Sequence, residues 1–312
     1  MLQQPVTTAG AVWGRWSSST DGRRSGPESS IRRQYRGLIV TGMPGNFQDL
    51  TGSEFERADM SGTRFNSVRL NGATIRHSDL HQVVMRGVEI VDTTIDGEIH
   101  NLVINGVDVA PLVEAELDKR YPDRPKFRPT TADGFREAWE LNERLWAATV
   151  DRARKLAPKL LHESVDGEWS FIQTLRHLAF ASESWVGRCL LGDPSPWHPL
   201  SLPWDQMEPR EGVPWDRDAR PSLEKALSLR HDAMALVRRV VDGLTDEQLG
   251  KRTAPLSGPG WPDEGETFPV WECLIIVLNE EWHHRMYAER DLAVLEERSG
   301  PRSARESTDS GH

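Results

Sequence analysis

The chain has 312 residues, enough for two domains, and carries a net charge of −10 with a pI near 5.5, which argues against general nucleic-acid binding. Its two cysteines cannot make a disulfide framework and fit a reducing cytoplasm. The longest apolar run of the C-terminal half, residues 273–278, is too short to span a membrane, and no secretory leader is visible, so the expectation is a cytoplasmic protein with neither nucleic acid nor membrane as partner.

Residues 1–36 are rich in Ser, Gly and Arg, among them Arg15, Arg23, Arg24, Arg32, Arg33 and Arg36, without apolar period. They read as a disordered arm. From residue 55 a period of five begins. Phe55, Met60, Phe65, Leu70, Ile75, Leu80, Met85, Ile90 and Ile95 keep one register. Two positions before each stands a small or β-branched residue, from Ser53 and Ala58 to Val88 and Thr93. Five fits neither a helix nor a strand, and a fixed period signals a solenoid.

This pattern resembles the pentapeptide-repeat family, with Ala58-Asp59-Met60 and Ser78-Asp79-Leu80 matching its unit best. The resemblance implies a short right-handed β-helix of a little over two coils, its large and small residues both pointing inward. The segment 37–110 is assigned to that β-helix and its caps. Its expected role is a protein contact rather than DNA mimicry, since it is short and carries Arg57, Arg64, Arg69, Arg76 and Arg86.

Residues 111–130 form a linker with a short helix near Leu112 and Leu117. From Thr131 to residue 298 the period becomes helical. The first helix, 132–156, lines up Phe135, Ala138, Trp139, Leu145, Trp146 and Thr149. The second opens at Ser170 with Gln173 in the capping-box position and ends near Gly192. The third runs from Ser222 to about Asp242, and a short turn from Thr245 repeats the box. The fourth spans 270–297, and residues 299–312 are a tail. Four amphipathic helices predict a bundle. A Pro- and Trp-rich loop of 193–221 is long enough to be functional.

Glu280 and His284 are four apart, so on a helix they share a face, with Cβ atoms roughly 5–6 Å apart. Val277, Ala288 and Leu295 mark that face as inward. His177 lies on the apolar side of the second helix. Two imidazoles and a carboxylate can grip one Zn, Ni or Fe ion. From spacing alone a second reading stays open, in which both histidines are core residues and Glu280 is an ion-pair partner. His283 is rotated about 100° from His284 and is expected at the rim.

The order of a Glu-Trp-Ser opening at 168–170, Leu175-Arg176-His177-Leu178, and Glu280-Glu281-Trp282-His283-His284 resembles the DinB/YfiT superfamily of four-helix-bundle metalloenzymes, over about 130–297. There the common set is one His on the second helix and His-x3-His on the fourth. Here the matches are His177 and His284, with Glu280 in place of the remaining His. Members like the mycothiol-dependent maleylpyruvate isomerases also carry Glu there. The resemblance implies a metal, Zn foremost, and a small thiol cosubstrate of the mycothiol or bacillithiol type. It implies a transferase or hydrolase acting on a small molecule, and a homodimer through the bundle. Glu281, as a base or as the residue orienting His284, and Arg285 are the catalytic candidates. Arg176, His283 and Tyr287 are the candidates for holding the cosubstrate. The competing reading is a metal-binding scaffold whose β-helix docks a protein.

Overall fold

The computed structural model describes residues 49–299, so the arm, most of the N-terminal cap and the tail lie outside the described residues. The described chain divides into two compact units, one ending at Gly97 and one beginning at Glu98.

The first unit is written by its corners. Gly52, Arg57, Gly62, Ser67, Gly72, His77, Gln82, Gly87, Asp92 and Gly97 all have positive φ, one every five residues. Gly52 follows Leu50 by two, and each of the others follows a large residue of the register by two. At Leu50, Met60 and Leu70 the carbonyl accepts from the N–H three residues on, each at 3.1 Å, closing a tight turn with glycine third. Asp49 and Asp59 accept from the backbone N–H of Thr51 and Ser61, both at 3.0 Å, bracing two of those turns.

The expectation that the large residues point inward is corrected here. Phe55 is 59 % exposed, Leu70 59 % and Ile95 68 %, and no strand is formed in 49–97. Turn chemistry is local and follows from each pentapeptide. Burial needs a neighbouring coil, and among the described residues nothing covers this register.

The second unit opens with a hairpin, β1 (Val103–Ile104) and β2 (Val107–Asp108), paired antiparallel. Asn105 and Gly106 supply its two left-handed turn residues. Helix α1 (Ala110–Arg120) comes next, then a 3-10 turn, Arg124–Phe127. Phe127 is buried against Trp282, ring centroids 4.9 Å apart.

The long helices are α2 (Ala132–Ala153), α3 (Phe171–Ser182), α4 (Leu223–Asp242) and α6 (Val270–Ser299), with the single turn α5 (Asp246–Leu249) before the last. Side-chain caps start four of the five where expected. Thr131, Ser170, Ser222 and Thr245 each accept from the N–H three residues on, and Ser170 and Thr245 complete the reciprocal box with Gln173 and Gln248. Helix α3 continues as a π-helical stretch, Glu183–Leu190. The wider turn of that stretch rotates its side chains relative to those of α3.

Helices α2 and α4 both touch α3 or α6, and α3 packs on both α4 and α6. One core cluster centres on Trp139, Trp185, Cys273 and Leu278, another on Trp146, Leu175, Ala288 and Leu292. Cys273 is buried beside Cys189, which together with burial pushes its thiol far up, so it stays a neutral core thiol.

The loop after the π stretch is fastened by buried arginines. Arg188 donates to the carbonyls of Pro194, Ser257, Gly258 and Pro262. Trp197 then lies so close to Gly260 that a Cβ there would sit 2.3 Å from its ring. Only glycine fits.

Candidate metal centre

The Ser170 cap fixes where α3 begins and so places His177 two turns in, 2 % exposed. Helix α6 presents Glu280 and His284 from successive turns. Glu280 Oε2 lies 3.3 Å from His177 Nε2 and 3.1 Å from His284 Nε2. One ligand atom from each of the three residues lies within 4.8 Å of the other two.

The tautomer of His177 decides what this cluster is for. Its Nδ1 is 2.9 Å from the Leu202 carbonyl, an obligate acceptor, so Nδ1 carries the proton. Burial lowers the pKa of His177 more than Glu280 raises it, which favours the neutral ring. Nε2 then turns a lone pair toward a carboxylate oxygen. Burial pushes the Glu280 carboxyl up, and only a donor hydrogen or positive charge at the facing ring nitrogens brings it below the usual carboxylate range. A charged oxygen facing a lone pair is unfavourable until a cation stands between them. The three residues therefore fit a divalent metal, with a backbone carbonyl orienting one ligand from behind.

Around the trio the expected residues divide. Tyr287 borders His284, ring centroids 6.2 Å apart, with the Arg290 guanidinium 5.2 Å over its ring. His283 is exposed, at the rim. Arg285 is half-buried, but its contacts are Trp282, Met286 and Glu289, none of them in the trio. Arg176 is corrected from cosubstrate binder to loop pin. It is fully buried and donates to the carbonyls of Leu200, Asp216 and Ala219. Its donors are spent on the backbone that presents Leu202 to His177. Glu281 is neither a solvated residue nor a base at the site. It is fully buried and ion-paired with Arg230 of α4, which engages its carboxylate.

Sequence reasoning missed three parts of this neighbourhood. Trp169 lies on both imidazoles, its centroid 4.4 Å from His177 and 5.6 Å from His284. An aromatic residue directly before a capping Ser was its only signal. Arg230 was legible as a charge on an apolar stripe, between Ala226 and Ala233. The third is Glu183, at the start of the π stretch. It accepts from Ser201 Oγ at 2.6 Å and from the His198 N–H at 3.2 Å, so His198 braces the loop turn.

Burial pushes the Glu183 carboxyl up to about 8, against its two hydrogen bonds. Between its ordinary value of 4.5 and about 8 the folded chain holds a proton that the unfolded chain has lost. Stability must therefore fall as pH rises through that window. Glu183→Gln cannot ionise and is expected to flatten the fall. Denaturant unfolding at about pH 5 and about pH 9 checks this, and parallel losses in both proteins would refute it.

The fold and site define a helical domain with a cluster of three residues able to hold a metal ion, preceded in the chain by a five-residue repeat. Comparison with family models agrees in both parts. The DinB superfamily model matches residues 141–288. The pentapeptide-repeat model matches residues 49–87 in eight copies. The chain is thus a fusion of pentapeptide repeats with a DinB superfamily domain. No curated protein matches the chain, and no solved structure does. Among the described residues no helix is long and apolar enough to cross a membrane.

Proposed function

We propose that the DinB domain is a four-helix bundle serving as a divalent-metal-dependent transferase, with His177, Glu280 and His284 holding the metal and a small thiol of the mycothiol or bacillithiol class as cosubstrate. One observation carries the reading: the Nε2 lone pair of buried His177 faces the Glu280 carboxylate, with Nδ1 committed to Leu202. A divalent cation held there would lower the pKa of a bound thiol or water and orient it for attack. Three protein ligands are the number typical of open, catalytic zinc sites, whereas structural sites close with four.

The chain's own residues prepare the site. Glu280 brings a fixed negative charge, so the cluster favours a cation over a neutral ligand. Glu280 and His284 keep 13 % and 14 % of their side-chain surface exposed, a narrow approach for a small ligand. Trp169 stacks on the His284 ring and lies tilted against that of His177.

Elemental mass spectrometry of the wild type and Glu280→Ala, purified without chelator, tests the reading. About one Zn or Ni per chain, lost in the variant, is the expected result. Conjugation of an electrophile only when the thiol is added supports the transferase. Turnover in thiol-free buffer assigns hydrolysis instead. No metal in either protein leaves the second reading, a scaffold whose repeat unit docks a protein. That reading is favoured by the exposed apolar register from Phe55 to Ile95.

A further inference from the structure

His177 and His284 are held by different means. His177 is tied at Nδ1 to Leu202. For His284 the polar contact among the described residues is Nε2 to Glu280, and its plane matches that of Trp169, 11° between the rings. An imidazole that turns about its Cβ–Cγ bond carries Nε2 away from the point where three ligands meet. What holds the indole therefore matters to the centre. Trp169 precedes the helix, half-buried, and its Nε1 donates to Asp205 Oδ2 at 2.9 Å. Asp205 is exposed, on the same loop that supplies Leu202. Its Oδ1 accepts from Arg217 Nη1 at 2.8 Å, and Arg217 also donates to the carbonyls of Pro203 and Trp204.

Resting on the metal reading above, we propose that Asp205 is a positioning residue for the metal centre and acts through Trp169. The carboxylate fixes the indole, and the indole fixes the planes of both imidazoles so that their Nε2 atoms converge with Glu280. One loop thus sets His177 twice, from behind through Leu202 and through the tilted ring of Trp169 beside it. It sets His284 once, through Trp169 alone. A surface loop residue, far from the trio in sequence, becomes a determinant of how long the ion stays.

Zinc alone is the probe, added to the full chain, with affinity read by chelator competition and retention by the rate of extraction. Asp205→Ala is expected to lose about ten-fold in affinity, the lower end of what second-layer partners of zinc ligands contribute, and to release zinc correspondingly faster. Trp169→Phe keeps a stacked ring and removes the N–H, so it should lose the same amount. The double variant should lose no more than either single one, because both remove one bond. Asp205→Asn keeps an acceptor oxygen for the indole and should restore retention. Wild-type retention in Asp205→Ala, additive losses in the double variant, or a lowered melting temperature with zinc affinity intact would each overturn the proposal. A wild type that takes up no zinc removes the metal reading and this one together. A wild type that binds zinc, with Asp205→Ala unchanged, removes this one alone.

Discussion

His177→Ala is expected to fold and to hold no metal, while His283→Ala holds nearly as much as the wild type. The two residues differ in the property that matters. His177 is buried with one nitrogen committed to a carbonyl and the other directed at Glu280. His283 is exposed beside them. Removing one of three ligands leaves a two-ligand site, and the loss should be complete at micromolar metal. Folding should survive because the cavity left is lined by Trp169 and Phe180, both in contact with the ring. Loss of a buried imidazole also leaves the Leu202 carbonyl without its donor, at a cost of about 1–3 kcal/mol. Metal content per folded chain, with circular dichroism as the control, decides it. Equal loss from both variants would show that α6 presents another face to the ion.

Glu281→Ala should be among the most destabilising single substitutions in the domain. It strands Arg230, which is buried and has no hydrogen-bond partner for Nε or Nη1 among the described residues. The guanidinium rests over Trp146, 5.8 Å from the ring centroid, which does not replace a carboxylate. Breaking a buried pair from one side costs about 3–5 kcal/mol. Removing both partners is another matter. Arg230→Met with Glu281→Leu replaces two desolvated charges by apolar groups, a change that is often neutral or favourable. Urea unfolding of the single and double variants should give opposite rankings to a simple count of lost contacts. A double variant less stable than Glu281→Ala would show that the pair is a net stabiliser. The charged form of Glu281 is itself disfavoured, since burial pushes its carboxyl up against the pull of Arg230.

Much of this was legible in the residues. The caps at Thr131, Ser170, Ser222 and Thr245 are local devices, and each starts its helix. The spacing of Glu280 and His284 is also local, and it needed only His177 from elsewhere. What could not be read was where loops go. Leu202 contributes a backbone carbonyl, which no side-chain pattern reports. Arg176 looked like a neighbour of the site because it precedes His177, yet one residue along a helix is about 100° of rotation, and it points to the loop instead. The same rotation hid the partner of Glu281. In the repeat unit the corners were implicit in the period, but whether the large residues are covered depends on contacts that no single pentapeptide contains.

Glu280 and Glu281 are neighbours with different destinations, one toward two imidazoles and the other toward Arg230. This makes α6 intolerant of changes in length in a way it need not be of changes in composition. A residue inserted between Val270 and Glu280 shifts everything beyond it by about 100° and 1.5 Å. That single step takes the proposed metal ligands and the ion pair out of register together, and no side-chain substitution nearby can restore both. Viable variation in this helix should therefore consist of replacements, with insertions and deletions confined to the loop before it.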